Sequence, residues 1–124
     1  MHAVTSTRNF LDDVFAAVDA NDADRFVACL TEDCVFRFGS APAVAGRDAI
    51  SAAVGGFFDS IAGCSHSIAS VWRDEGRLAC EGEVRYERLD GSEITIPFVD
   101  VFEFRGELIS SYKIYIDIGP LYAT

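Results

Sequence analysis

Apolar residues recur at helical spacing in the first half of the chain and alternate with polar residues in the second half. The Thr-Ser-Thr run at residues 5–7 offers several caps for a first helix of about three to four turns. The apolar positions of that helix are Phe10, Val14, Phe15 and Val18. The pattern therefore predicts an amphipathic helix near the N-terminus.

Two further helices are predicted before the spacing changes. Asp22 is a suitable N-cap for a short second helix, which the polar run at residues 31–33 ends. A strand at residues 34–38 and a loop at residues 39–46 follow, and a regular apolar stripe then indicates a third helix. The stripe consists of Ile50, Val54, Phe57 and Ile61.

Alternating apolar residues and turn signals divide the remainder of the chain into strands. We expect these strands at residues 65–73, 77–88, 93–104 and 107–118, forming a meander. Helices followed by a meander indicate the α+β class, with the helices packed on one face of an antiparallel sheet. The 124 residues are predicted to form one domain, residues 1–124, without repeats or linkers.

Composition narrows the possible partners. Half of the residues are hydrophobic, which argues against disorder. The formal net charge is -10, and the Lys and Arg residues are scattered rather than clustered. Such a chain repels phosphate backbones and anionic lipid headgroups, so neither nucleic acid nor a membrane surface is an expected partner.

The cysteines and histidines show no metal-ligand spacing. Cys29, Cys34, Cys64 and Cys80 form no C-x-x-C pair and are not spaced with a histidine as ligands are. We therefore interpret the cysteines as reduced and expect neither a metal nor a cofactor. The N-terminus lacks the apolar core of a signal peptide, and no run reaches membrane-spanning length, so a cytoplasmic location is expected.

One carboxylate interrupts the most apolar strand, at residues 94–104. Side chains alternate across a strand, so Asp100 should share a face with Phe98 and Phe102. An ionised carboxylate in that row would lose hydration without an evident cation beside it, which raises its pKa. Asp100 is therefore a candidate acid/base group.

The Asp-Gly pair at residues 90–91 favours a two-residue hairpin turn, and this turn sets a register. Leu89 would pair with Ser92, which places Glu81 opposite Asp100 on the cavity face, together with Glu83 and Arg85. A single bulge would turn these side chains to solvent. The reverse face would then carry apolar area, which we expect a second copy of the chain to cover as a homodimer. The residues of that face are Leu78, Cys80, Val84, Tyr86, Val99, Val101 and Tyr115.

The order of elements, together with several short motifs, resembles the nuclear transport factor 2-like superfamily. The motifs are D-A-N-D-A-D-R-F at 19–26, L-T-E-D-C-V-F at 30–36, G-R-D-A-I at 46–50, L-D-G at 89–91, P-F-V-D-V-F-E-F at 97–104 and Y-K-I-Y-I-D at 112–117. The chain is most similar to the branch of polyketide-cyclase-like (SnoaL-like) proteins, ketosteroid isomerase and limonene epoxide hydrolase. The resemblance implies a cone-shaped, curved antiparallel sheet with three N-terminal helices packed on its concave face. Enzymes, binding modules and assembly domains share this frame.

The resemblance carries over only some catalytic positions. Asp100 falls where ketosteroid isomerase has the protonated aspartic acid of its oxyanion hole, whose raised pKa is a well-studied example. The base of that isomerase falls at Phe38 and its tyrosine near Val14, so its mechanism is not expected here.

The epoxide hydrolase positions are also replaced. Its aspartate, arginine and aspartate fall at Glu83, Glu81 and Ile114, and its water-binding tyrosine and asparagine fall at Phe36 and Phe38. Neither known mechanism is therefore predicted.

Each candidate site residue also has a structural interpretation. Asp100 is either the catalytic acid or a buried acid bonded to Tyr112 or to a backbone amide. His66 is either a general base facing the cavity or a strand histidine with satisfied hydrogen bonds. Tyr112 is either a donor near Asp100 or a packed tyrosine. The candidate substrate-binding residues, each of which could instead belong to the core, are Phe36, Phe38, Phe57, Trp72, Phe98, Phe102 and Ile114.

These observations predict a small cofactor-free enzyme of the cyclase, isomerase or hydratase type. It would act by acid/base chemistry on an apolar small molecule in the cone cavity. The alternative is a non-catalytic domain on the same fold that binds a small ligand or assembles as a dimer.

Overall fold

Helices begin the chain and a meander of long strands follows, as predicted. The computed structural model describes the backbone of residues 2–123 and the side chains of residues 10–123. The helices are α1 (His2–Asp19), α2 (Ala23–Val27), α3 (Arg47–Asp59) and α4 (Gly119–Tyr122). The strands are β1 (Leu30–Phe38), β2 (Val44–Ala45), β3 (Gly63–Asp74), β4 (Arg77–Glu87), β5 (Glu93–Arg105) and β6 (Leu108–Ile116).

The strands form one curved, unclosed sheet in the order β2-β1-β6-β5-β4-β3. The α+β prediction, with the first three helices on the concave face, is confirmed. Two features were not predicted: β1 runs parallel to β6, and α4 follows the meander. The parallel pairing is possible because α3 and four strands separate β1 from β6, which gives the chain room to return in the same direction.

The helix boundaries follow the sequence signals in part. The predicted cap of α2 is confirmed, because Asp22 Oδ1 accepts a hydrogen bond of 3.0 Å from the amide of Arg25. By contrast, α1 already begins at His2, so residues 5–7 lie within it and do not cap it. Residues 31–33 belong to β1, since α2 ends at Val27.

The register between β4 and β5 differs by one residue from the predicted one. The turn has three residues, because Arg88 and Ser92 pair through a 2.7 Å hydrogen bond and the amide of Gly91 bonds back to Arg88 O. Gly91 has a φ of +88°, as expected where a left-handed residue follows a type I turn. Since side chains alternate, this shift of one residue moves every β4 side chain to the opposite face.

The two faces of β4 are therefore exchanged relative to the prediction. Cys80 lies opposite Asp100, and Glu81 lies opposite Val99 on the outer face, with Glu83 and Arg85. The predicted outer-face residues of β4 are instead buried in the core; they are Leu78, Cys80, Val84 and Tyr86. Only the predicted positions on β5 and β6 remain on the outer face, namely Val99, Val101 and Tyr115.

A close approach between strands accompanies the bend of the sheet. The β3 register shifts between Ile68 and Ser70, and a Cβ at Gly82 would lie 1.9 Å from the carbonyl oxygen of Ser67. Only glycine fits there, and the bulge increases the local twist. This bend helps the outer strands to curve around the helices.

Two smaller expectations concern the cysteines and the membrane. All four cysteines are free, in agreement with the interpretation as reduced residues. None of the helices in the described part of the chain is long and apolar enough to cross a membrane. The cytoplasmic location stays a prediction.

Candidate active site

The concave face of the sheet and the helices line a partly open cavity of about 250 Å³. Its wall is almost entirely aromatic and aliphatic. The polar side chains in this wall are Cys64, His66, Tyr86, Asp100 and Tyr112. An apolar cavity with a few convergent polar groups is the usual form of a small-molecule site.

Five of the seven predicted substrate-binding residues line this cavity; they are Phe36, Phe38, Phe57, Phe98 and Ile114. The other two lie elsewhere. Trp72 is 53 % exposed and pairs with Ala79 on the outer face, because the β3 bulge alters its register. Phe102 is fully buried and packs against Phe10 and Tyr112, at ring distances of 5.5 Å and 4.3 Å.

Asp100 lies in the inward-facing row of β5, as predicted. It is 1 % exposed, with Cys80 and Ile114 as its cross-strand neighbours. Tyr112 donates a 2.7 Å hydrogen bond from its hydroxyl to Oδ2, whereas Oδ1 has no partner. The pairing of Asp100 with Tyr112 matches the prediction, and one oxygen is left for a ligand in the cavity.

The pKa of Asp100 is raised to about 7 by its burial, and the hydrogen bond from Tyr112 opposes the rise. The predicted position of Glu81 opposite Asp100 is wrong, because Glu81 pairs with Val99 on the outer face, so it does not contribute to this rise. Desolvation therefore provides the upward shift. Near neutral pH, Asp100 exchanges between a proton-donating acid and a carboxylate.

His66 lies on β3 and also faces the cavity. Its Nδ1 is 2.6 Å from Asp19 Oδ1, and its backbone amide donates a 3.2 Å hydrogen bond to Asp19 Oδ2. The ring stacks on Phe15 at 4.7 Å and meets Phe98 edge-on at 5.3 Å. One ring nitrogen of His66 is thus satisfied by Asp19, and the role of His66 as a general base stays a prediction.

Asp19 is the site residue that the sequence interpretation missed. It is the last residue of α1, where the helix dipole disfavours a carboxylate. An acidic residue at that position, at the start of the D-A-N-D-A-D-R-F motif, was the available signal. Its hydrogen bonds to His66 give it a role that α1 alone does not explain.

Asp19, Cys64 and His66 also form the one group, among residues 10–123, that could hold a metal ion. Their ligand atoms lie within 4.8 Å of one another. Cys64 and His66 are two residues apart on β3 and therefore lie on the same face. The sequence prediction of no metal site did not take this spacing into account. Burial and the adjacent Asp19 raise the pKa of Cys64 to about 12, so its thiol is protonated and a weak ligand at neutral pH.

The two acid/base pairs occupy separate positions on one cavity wall. His66 pairs across the sheet with Val84, and Asp100 pairs with Cys80, four residues away on the same strand. A carboxyl group with one unpartnered oxygen and an imidazole oriented by Asp19 therefore face the same apolar space. This arrangement can give a proton to one atom of a ligand and remove a proton from another.

Sequence comparison identifies a family over most of the chain. The sequence model of the SnoaL-like domain matches residues 11–112. None of the functionally curated proteins compared with the chain matches it.

Solved structures share the fold at low sequence identity. A protein from Jannaschia sp. CCS1 described as a SnoaL-like polyketide cyclase has a TM-score of 0.80 at 13 % identity, over 94 % of this chain and 89 % of that one. A hypothetical protein with a ketosteroid isomerase-like fold from Catenulispora acidiphila, in complex with trimethylamine, has a TM-score of 0.79 at 17 % identity, over 86 % of this chain and 83 % of that one. An epoxide hydrolase of the LEH-like type from M. tuberculosis has a TM-score of 0.77 at 17 % identity, over 92 % and 84 %. At these identities the likeness establishes the fold alone.

Proposed function

Because the chain belongs to the SnoaL-like domain family, whose fold also occurs in cyclases, isomerases and epoxide hydrolases, we propose that it is an enzyme. In this proposal the chain's own side chains move protons on an apolar small molecule held in the cavity. Asp100 is the acid, His66 is the base, Tyr112 orients the acid and Asp19 orients the base.

The unpartnered oxygen of Asp100 is the observation that carries the proposal. Oδ1 is buried in an apolar wall without a hydrogen bond, and buried polar atoms without partners are rare because they cost free energy. A ligand oxygen in the cavity would satisfy this atom. With a pKa raised to about 7, the carboxyl group can donate a hydrogen bond or a proton to that oxygen.

The base completes the reaction. Nδ1 of His66 is held by Asp19, which fixes the ring and leaves Nε2 to accept a proton from a ligand carbon or hydroxyl group. Protonation of a carbonyl oxygen by Asp100, with removal of a neighbouring C–H proton by His66, forms an enol. Isomerisation, ring closure by an aldol step and dehydration can each begin with that transfer.

Solvent exchange tests this step without knowledge of the natural substrate. In D₂O the wild-type chain should accelerate replacement of the α-protons of 2-tetralone by deuterium, as observed by NMR. His66→Gln should lose this acceleration by about 10²- to 10⁴-fold. Replacement of the exposed Asp12 by Asn is the control and should leave the rate unchanged. Exchange no faster than in buffer, with 2-tetralone bound, would reject the catalytic proposal.

The alternative is a domain that binds a small ligand without converting it. A protein of this fold was obtained in complex with trimethylamine, which supports binding of a small ligand on this frame. The exchange assay separates the two functions, because a binding domain would take up 2-tetralone and leave its α-protons in place.

We also propose that a second copy of the chain covers the outer face of the sheet. This face carries Trp72 beside Ala79 and Val101 in one row, and Val99 beside Tyr115 in the next. Trp72 and Tyr115 are 53 % and 58 % exposed, and burial of such area stabilises dimers. Sedimentation at micromolar concentration should show a dimer that Val101→Glu dissociates; a monomeric wild-type chain would contradict this proposal.

A further inference from the structure

The volume of the cavity, which is partly open to solvent, limits how much of a ligand can be buried in it. The cavity encloses about 250 Å³, whereas a protein cavity of about 150 Å³ accommodates benzene. Scaling by volume gives room for about ten non-hydrogen atoms. One substituted ring or two fused rings meet this limit, whereas four fused rings exceed it.

The charges around the cavity limit the ligand further. Among the residues with described side chains, the cavity wall contains no Lys or Arg, and Asp19 lies directly behind His66. The formal net charge of the chain is -10. A carboxylate or phosphate entering this wall would lose hydration without a cation to compensate it, so the site favours an uncharged ligand.

The positions of the two polar groups define where the ligand must be polar. His66 and Asp100 face the cavity from two strands that both pair with β4, at points four residues apart. Four residues of strand separate their backbone positions by about 13 Å, and both side chains extend from these positions into the same cavity, so the ligand must present a different atom to each. The ligand therefore needs an oxygen for Asp100 and a separate acidic C–H or O–H group for His66.

We propose that the substrate is an uncharged compound of one or two rings that carries an oxygen acceptor at one position and an acidic proton at another. This inference rests on the proposed function, because it takes both pairs as the contacts of the substrate. It excludes four-ring skeletons and anionic substrates.

Binding of a graded series of ketones to the full chain tests the size limit. The probes are 2-cyclohexenone, 2-tetralone, anthrone and progesterone, measured by isothermal titration calorimetry. We expect the tightest binding for 2-tetralone and at least about tenfold weaker binding for progesterone. For charge, 2-naphthoate should bind at least about tenfold more weakly than 2-acetylnaphthalene.

An enlarged cavity should shift the size preference. Phe38 lines the cavity, so Phe38→Ala should strengthen binding of anthrone relative to 2-tetralone. Phe104→Ala is the matched control, because Phe104 is also half-buried but packs on Phe10 outside the cavity wall; the ratio should stay at its wild-type value.

The results separate this inference from the proposed catalysis. Progesterone or 2-naphthoate binding as tightly as 2-tetralone would overturn the inference, as would the failure of every one- or two-ring compound to bind. If 2-tetralone binds with the expected size and charge preference but keeps its α-protons, the ligand class stands and the catalytic proposal fails. If the chain turns over a four-ring or anionic compound, catalysis stands and the ligand class fails.

Discussion

The two hydrogen-bonded pairs that face the cavity differ in how completely their carboxylate oxygens are bonded. Both oxygens of Asp19 have partners on His66, at 2.6 Å and 3.2 Å. Asp100 has one partner, Tyr112, at 2.7 Å, and its second oxygen has none. Asp19 is thus fixed as an acceptor, while Asp100 keeps an oxygen that can carry a proton.

This difference shows why two aspartates in one site can have different roles. Burial raises the pKa of Asp100 because it removes hydration that few hydrogen bonds replace. Asp19 gains from His66 the bonds that Asp100 lacks. Both pairs contain an aspartate, so the residue type does not separate their roles. The difference in hydrogen bonding is our reason to assign the acid to Asp100 and the oriented base to His66.

The largest expected effect comes from removing the exchangeable proton. Asp100→Asn keeps the shape of the side chain and an acceptor for Tyr112, but it cannot donate a proton as a carboxylic acid does. Solvent exchange of 2-tetralone should slow by about 10²- to 10⁴-fold, measured by NMR with Asp12→Asn as control. A rate within the error of the wild-type value would assign Asp100 a structural role.

Stability should depend on pH through Asp100. The rise of its pKa from 3.8 to about 7 corresponds to on the order of 4 kcal/mol. Between these pH values the folded chain binds more protons at Asp100 than the unfolded chain, so the free energy of unfolding falls as the pH rises and levels off above about 7. The difference between wild type and Asp100→Asn in urea unfolding isolates this contribution from other groups. Parallel pH curves for the two chains would contradict it.

A smaller effect is expected at the second pair. Asp19→Asn should slow exchange by on the order of tenfold to a hundredfold, because His66 remains but is no longer fixed by a carboxylate. The imidazole ¹⁵N shifts provide a separate readout, since loss of the carboxylate should change the population of the Nδ1–H tautomer. Unchanged ¹⁵N shifts would remove the positioning role of Asp19, whatever the rate.

The smallest effect is expected from Tyr112→Phe. The hydrogen bond from Tyr112 lowers the pKa of Asp100, so its loss should raise that pKa further. The pH at which exchange declines should move upward, while the rate at neutral pH changes by less than about tenfold. Tyr86→Phe is the control, because Tyr86 also lines the cavity but does not bond to Asp100. An equal shift in both variants would assign the effect to packing.

The sequence predicted one of these pairs and not the other for a physical reason. The orientation of Asp100 depends on alternation within its own strand, which the residues beside it specify. Its partner Tyr112 belongs to the adjacent strand of the meander. The Asp19–His66 pair joins residues 47 positions apart, and only the packing of α1 against β3 determines their contact.

The error in the β4 register shows the limit of local turn signals. Asp90 and Gly91 suit a two-residue turn, but the Asp90 carboxylate accepts hydrogen bonds from Ser92 at 2.9 Å and 2.6 Å in a three-residue loop. The Asp-Gly pair alone does not decide between these loops, because Ser92 also takes part in the turn. The predicted two-residue loop assigned Glu81 and Cys80 to the wrong faces of the sheet, and the expected composition of the outer face was wrong for the same reason.

The titration of Asp100 tests the central claim most directly. The carboxyl ¹³C chemical shift of Asp100 should be followed against pH in wild type, with the resonance assigned by its absence from Asp100→Asn. Our account predicts a midpoint near the value of about 7 to which burial raises the pKa. A midpoint near that of an exposed aspartate, about 3.9, would show that Asp100 is ionised throughout the neutral range and does not act as the acid.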